Sequence, residues 1–497
     1  MTTAHTTPTA DARHWINGAW ATSTRVTPST SPHDGSVLDH YADGGEAEAR
    51  AAIAAARAAF DTGDWARDRA WRARALNELA DRTAERRDEL VTLLARENRK
   101  ILAEAAFEVD LAIPKLRYYA ALALTDSGRS AEVGPGLYSM TLRQPAGVAA
   151  VVTPWNSPVV LAVRSFAPAL AAGCAAVVKM PGQTGLVNGL LNEVVAATGS
   201  LPDGVLNLFT ESGSSGARAL VAAPDVDVVS FTGSTRVGRA IMAQAAETLT
   251  PVSLELGGKT PMIVFDDADL DAAVPVLTKA VTTFAGQFCM TGSRVLVQRG
   301  VADELRARLT ASLSGVRLGA GDDPESEIGP MIDREAVARV DAEVGAAIAD
   351  GARPLLRGGP LTGDDPDADR LAGGAYYRPA LLEVSDPEAA IVRREVFGPV
   401  ATFEVFESEE RAVALANATE FGLAASVWTR DADRPLRVGR ELDAGTVWTN
   451  TWAVVHDQFE EGGFKQSGVG RLNGPRGMEE FQETKHLVRT APRDARR

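Results

Sequence analysis

After Gly134 and Pro135 the chain becomes a succession of short apolar runs, each closed by Gly, Pro or a polar cluster, and that pattern constrains the fold more than any other feature. VAAVV at 148–152, AAVVK at 175–179, GVLNLF at 204–209 and VDVVSF at 226–231 are separated by stretches with helical spacing. Short apolar runs bounded by turn formers read as strands buried on both faces. Strands that alternate with helices pair in parallel, and ligands then sit at their carboxyl ends. A second alternation runs from about Pro261 to Val447, with TPMIVF, SRVLVQ, ATFEVF, AASVWT and GTVWTN as its strands. The prediction is an α/β protein with two parallel sheets.

Upstream, residues 46–60 and 68–96 carry Ala, Leu, Arg and Glu at helical periods and predict helices. The stretch 351–375, rich in Gly, Asp and Pro, reads as a surface excursion, and the polar tail APRDARR is expected to fray. At 497 residues the chain is too long for one ordinary core. VVLAVRSFAPALAAGCAAVV at 159–178 is long enough to span a bilayer, but Arg164 and Pro168 interrupt it. A buried helix followed by a buried strand is the better reading. MTTAHTTPTADAR has no apolar core of a secretory signal. A formal charge of −15, from 66 acidic and 51 basic residues, argues against a nucleic-acid partner. The two cysteines, Cys174 and Cys289, are too few for a disulfide framework and suit a reducing cytoplasm.

Four segments carry chemistry. Cys289 sits in FAGQFCMTGSR, a Gly-rich turn. A free cysteine is more often a small buried hydrophobe than a nucleophile, and Cys174, beside the strand AAVVK, keeps that reading. Glu255 in LELGGK is a carboxylate at an apolar strand end; desolvation should raise its pKa, as suits a general base, although a glutamate at a strand edge could simply point outward. Asn156 in TPWNSP follows the strand VAAVV, where a fixed amide can donate to an oxyanion or merely form a turn between two prolines. In FTGSTRVG, Gly233, Ser234 and the next helix turn could hold a pyrophosphate, although the dinucleotide fingerprint of three spaced glycines is absent. No residue is assigned to a metal.

Together these segments resemble the aldehyde dehydrogenase superfamily. The resemblance runs from HWINGAW at 14–20 to EEFQETKHL at 479–487, through TPWN, FTGST, LELGGK, GQFC, EVFGPV, GTVWTN and GGFKQSGVGR in the family's order. It implies oxidation of an aldehyde with NAD or NADP, with Cys289 as nucleophile, Asn156 as oxyanion donor and Glu255 as base. Trp155, Lys179, Gly233, Ser234, Val237, Leu256, Gly257, Glu395 and Phe397 would line the cofactor. Arg164, Phe284, Phe288, Met290, Val455 and Glu461 would line the substrate tunnel. The implied division is a cofactor domain at 1–125 and 146–257, a catalytic domain at 258–447, and an oligomerisation arm at 126–145 and 472–497, with 448–471 returning to the active site. The arm implies a homodimer or homotetramer.

Three features depart from the family pattern. Gly182 in KMPGQT stands where many members have a glutamate that binds the ribose hydroxyls, which removes a barrier to NADP. Ser165 and Leu472 stand where many members have a lysine and a glutamate thought to carry the proton from the base, so its exit needs another route. Arg164 resembles the arginine with which semialdehyde dehydrogenases hold a carboxylate, but the second arginine of that pattern falls at Thr283. An Arg164–Glu461 ion pair is the competing reading, and His456 and Gln458 share the Glu461 loop. Two rivals are a CoA-acylating enzyme, whose relatives generally lack the hydrolytic glutamate, and a silent protein on the same fold.

Overall fold

The computed structural model describes residues 12–491; the expectations for the first eleven residues and for most of the tail fall outside that range. The four expected strands of the first alternation form, and a fifth, Val252–Glu255, joins them in parallel. Their spatial order is Leu206–Glu211, Ala175–Pro181, Val148–Val152, Val228–Thr232, Val252–Glu255. Short antiparallel strands extend both edges, His14–Ile16 with Ala19–Ala21 on one side and Gly468–Val469 on the other.

Burial on both faces explains the unbroken apolar runs. Ala149, Val151, Ala176 and Val178 face a helical layer built from Leu76, Leu116, Phe166 and Leu170. Their neighbours Val148, Ala150, Val152 and Val177 face Ala49, Ile53 and Leu220 on the opposite side. The stretch 159–178 is a buried helix, Pro158–Ala172, and a buried strand. Gly173, with φ +105°, makes the turn between them in the left-handed conformation that ends many helices. Residues 68–96 form two helices rather than one, Arg69–Glu85 and Arg87–Glu97. The break falls at Arg86, whose guanidinium binds Glu89 and also Glu193 on the helix Gly185–Ala196.

The second sheet holds six parallel strands in the order Ala380–Glu383, Val400–Phe406, Arg294–Gln298, Pro261–Val264, Ala424–Trp428 and Thr446–Thr449. The antiparallel strand Arg353–Leu356 closes one edge, so the stretch 351–375 is not wholly an excursion; its first residues extend the sheet and the rest is mostly exposed turn. Ser130–Gly134, Leu137–Pro145 and Gln482–Thr490 form a separate antiparallel sheet, with Val133, Leu142 and Val488 exposed. No helix among the described residues is long and apolar enough to cross a membrane.

Between two central strands of the second sheet lies a buried ion pair. Arg294 Nε and Nη2 donate to the two oxygens of Glu404 at 2.9 and 2.7 Å, and both residues are nearly inaccessible. Removing one partner strands the other charge. Glu404→Ala should lower unfolding free energy by about 3–5 kcal/mol; a urea midpoint unchanged from wild type would contradict a role for the pair.

Candidate active site

The first sheet reverses its winding between Val148–Val152 and Val228–Thr232, and the crevice beyond the carboxyl ends of these two strands is the expected ligand position. The loop after the first carries Trp155 and Asn156; the loop after the second carries Gly233 and Ser234. Ser234 N-caps the helix Thr235–Ala245, accepting from the Val237 amide at 3.4 Å. The first amides of that helix have no intrahelical acceptor and suit a phosphate. Val237 is half-buried against the sheet. Lys179, at the end of Ala175–Pro181, is buried, and desolvation pushes its amine pKa down while Glu211 and Asp43 pull it back.

At Gly182 a Cβ would come within 2.6 Å of both Ser212 Cα and the Tyr41 hydroxyl, so no larger residue fits there. The nearby carboxylates are engaged. Glu211 accepts from the amides of Gly216 and Ala217, and Asp43 accepts from Ser212, Thr27 and Arg25. On the opposite wall Phe397 packs edge-on against Trp155, with ring centroids 5.7 Å apart. Glu395 accepts from the Gly258 amide at 3.2 Å, and a Cβ on Gly257 would strike its carboxylate at 2.4 Å. Burial pushes the Glu395 pKa up to about 7.

Asn156 is fixed through its backbone. Its carbonyl accepts from Arg99 Nη2 at 3.0 Å and from Lys100 Nζ, and its side-chain amide donates to the Gln287 carbonyl at a long 3.4 Å. Lys100 also pairs with Glu108 at 3.1 Å, both fully buried. Glu108 in turn accepts from the Val159 and Val160 amides at the start of the helix Pro158–Ala172.

Cys289 follows a strained turn. Phe284, Ala285 and Gly286 have φ of +55°, +50° and +68°. Such backbone persists in side-chain-bearing residues only where the surroundings impose it. Here Glu104 accepts from the Phe284 amide at 2.6 Å, and Lys100 lies 4.1 Å from the Phe284 ring centre. Gly286 is required, because a Cβ would meet the Gly398 backbone at 2.2 Å. Burial pushes the Cys289 thiol pKa up, and Arg164 pulls it back. Cys174 is inaccessible and pushed up to about 12 by burial, as befits a packing residue.

Glu255 ends the strand Val252–Glu255, in register with Thr232 on one side and Gly468 on the other. It is buried, Oε1 has no hydrogen-bond partner among the described residues, and desolvation, opposed by Arg164, pushes its pKa up to about 8. It does not point outward. Leu256 after it is buried against Gly238.

A cavity of about 280 Å3 reaches Cys289, lined by all six expected tunnel residues, Arg164, Phe284, Phe288, Met290, Val455 and Glu461, together with Asn156. Arg164 and Glu461 form the ion pair, Nη1 to Oε1 at 2.7 Å, both buried. Arg164 Nη2 also donates to Thr232 at 3.2 Å. Sequence reasoning missed the rest of this network. Asn473 donates to Glu461 at 2.9 Å, Lys115 donates to Asn473 at 2.7 Å and pairs with Asp457. Asp457 faces the cavity, whereas its neighbours His456 and Gln458 are exposed and do not line it. Trp452 was also missed; its indole donates to the Met290 carbonyl at 2.8 Å and its ring meets Phe288 edge-on. Its aromatic character in the returning segment was the available signal.

A family model described as the aldehyde dehydrogenase family matches residues 20–487. The betaine aldehyde dehydrogenase of Bacillus subtilis (strain 168) is 38% identical over 480 residues, covering 96% of each chain. The NADP+ succinate-semialdehyde dehydrogenase of Escherichia coli (strain K12) is 36% identical, covering 95% of this chain and 96% of its own. A crystal structure of Staphylococcus aureus betaine aldehyde dehydrogenase in complex with NAD+ superposes with a TM-score of 0.92 at 35% identity, covering 97% of this chain and 95% of that one.

The raised thiol predicts slow alkylation of free Cys289 near neutral pH. Iodoacetamide labelling, read by mass spectrometry, should quicken about tenfold per pH unit up to about pH 8, with Cys174 unlabelled until the protein unfolds. A rate that levels off below neutrality would contradict the assigned environment.

Proposed function

The chain belongs to the aldehyde dehydrogenase family, and from that premise we propose that it oxidises an aldehyde to a carboxylic acid with Cys289, Asn156 and Glu255 as its catalytic residues. Cys289, as thiolate, attacks the aldehyde carbon and forms a thiohemiacetal. The Asn156 amide and the Cys289 backbone N–H stabilise the oxyanion. Bound nicotinamide supplies the hydride acceptor, and a thioester is left on Cys289. Glu255 takes a proton from the water that attacks the thioester; the carbon–sulfur bond breaks, Cys289 leaves as thiolate, and the acid departs. The observation that carries the hydrolytic reading is Glu255 itself, a buried carboxylate with a free oxygen and a pKa of about 8. A CoA-dependent enzyme would have no use for it.

For the cofactor, Lys179 and the first turn of Thr235–Ala245 would hold the adenosine side, Trp155, Gly233, Ser234 and Val237 would line it, and Glu395, Phe397, Leu256 and Gly257 would lie towards the nicotinamide. The filled space at Gly182 and the engaged carboxylates around Lys179 leave no free acid to repel a 2′-phosphate, so either NAD or NADP is accepted. For the substrate, Arg164 is neutralised by Glu461, and Phe284, Phe288, Met290 and Val455 dominate the walls. An aldehyde with an apolar body is favoured over one bearing a carboxylate. We assign cofactor binding to 1–125 and 146–257, catalysis to 258–447 with the returning segment 448–471, and self-association to the exposed sheet of 126–145 and 472–497. The proposed setting is the cytoplasm and the proposed assembly a homodimer or homotetramer.

Cys289→Ala should abolish turnover. Glu255→Gln should keep a first burst of reduced cofactor and lose steady-state turnover, while wild-type deacylation rises with pH to a plateau above about 8, because the base must be ionised. A burst followed by normal turnover in Glu255→Gln would refute the assigned base. Steady-state assays with both cofactors should give kcat/KM values within about 100-fold of each other; a larger preference for NAD would sink the Gly182 argument.

A further inference from the structure

The proton that Glu255 takes up has to leave a buried site. Glu255 Oε1 lies against Gly462, where a Cβ would come within 3.1 Å of it. Glu461 immediately precedes Gly462 and faces the tunnel. Arg164 joins the two positions, reaching Glu461 with one nitrogen and Thr232, the strand partner of Glu255, with the other.

The remaining groups around Glu461 are poor acceptors. Lys115 and Tyr119 face it from the helix Leu102–Thr125, Arg164 from Pro158–Ala172, Asn473 from just beyond the returning segment, and Cys289 from the nucleophile turn. Arg471 faces Glu255 from that same returning segment. Arginine and lysine cations have no lone pair to offer, asparagine and a neutral tyrosine are weak bases, and Cys289 is the leaving group. Leu472 pairs with Glu461 through backbone alone, with mutual bonds of 2.8 Å. Asp457 lies beyond Lys115, further along the tunnel wall.

We propose that Glu461 is the proton acceptor for Glu255: through tunnel water it receives the proton removed from the hydrolytic water and returns it to solvent. The step rests on Glu255 being the base. An O–H bond of the Glu255 carboxyl breaks, an O–H bond forms on Glu461, and no electrons change hands. Because Arg164 and Asn473 both donate to Glu461, a proton there weakens those bonds and is handed on rather than kept. Glu461 then passes the proton on to solvent and is free to accept another in the next turnover.

The test is Glu461→Gln in the holoenzyme, with the cofactor burst and steady-state turnover measured separately from about pH 6 to 9. A burst should persist in the variant, while steady-state turnover falls about tenfold or more. Formate or imidazole should restore it in the variant and leave wild type unchanged, and Glu461→Asp should recover much of the rate. A purely structural ion pair would lose burst and turnover together with no response to small acceptors, and that result would overturn the proposal. So would steady-state turnover and a pH profile equal to wild type. If Glu255→Gln loses deacylation and Glu461→Gln does not, only the relay falls; if Glu255→Gln deacylates normally, the base and the relay fall together. Should Glu461→Gln fail to fold, a proton inventory on wild-type deacylation decides: curvature from more than one proton in flight is expected, and a linear plot overturns the relay.

Discussion

The site hangs on two adjacent buried cations, Arg99 and Lys100, that converge on one carbonyl oxygen. Both donate to the Asn156 carbonyl, and Arg99 also reaches the Gln287 carbonyl at 3.3 Å. Asn156 belongs to a loop of the first sheet and Gln287 to the turn before Cys289, so the same pair of residues sets the Asn156 amide relative to the thiol. Burying two cations is costly unless each is paired. Glu108 supplies the countercharge to Lys100 and, with the same carboxylate, caps the helix that carries Arg164. Arg99 holds φ +58°, a strained conformation for arginine that makes sense only if the surrounding packing imposes it. The cost of that arrangement is offset by the cores of the two sheets it connects, and its return is a preorganised site.

The parallel sheets were legible because central strands of such sheets must be apolar on both faces, and runs such as VAAVV and AAVVK have no other comfortable place in a folded chain. Cys289, Glu255 and Asn156 could be singled out in the sequence because each sits in a short motif whose order along the chain is itself informative. The six expected tunnel residues do line one cavity. Residues held together only by tertiary contact were not legible. Lys115 meets Asp457 and Asn473 across more than three hundred residues of sequence, and no local spacing records such a pairing. The break at Arg86 was hidden because the residues on either side keep helical composition and no Gly or Pro marks the change of direction. Gly182 was read as the absence of a carboxylate, whereas the structure adds that Tyr41 and Ser212 fill the space a carboxylate would need.

Arg164 shows how the same residue changes meaning with its partners. An unpaired arginine in a tunnel would be a receptor for an anionic substrate. Bound to Glu461 at 2.7 Å, with a second bond to Thr232, it is already satisfied on two of its three nitrogens. A substrate carboxylate would have to displace Glu461, leaving that carboxylate buried with only Asn473 as a donor. Breaking a buried pair costs more than a new pair of the same kind returns. The proposed preference for an aldehyde with an apolar body over an anionic one rests on that cost.

The same pair also bears on the electrostatics of the reacting atoms. Desolvation pushes both Cys289 and Glu255 towards their neutral forms, and Arg164 is the charge that opposes it most strongly at each. If Arg164 stood alone it would favour ionisation of both groups at once, a thiolate and a carboxylate side by side in a buried site. Glu461 opposes that field at both groups, and with desolvation it leaves the base mostly neutral near neutral pH, so that it must shed its proton before it can act. A site tuned in this way holds the nucleophile and the base in reserve, and their activation falls to the substrate, the cofactor and water rather than to a fixed charge. That is the physical reason a carboxylate placed beside the base matters more here than a second cation would.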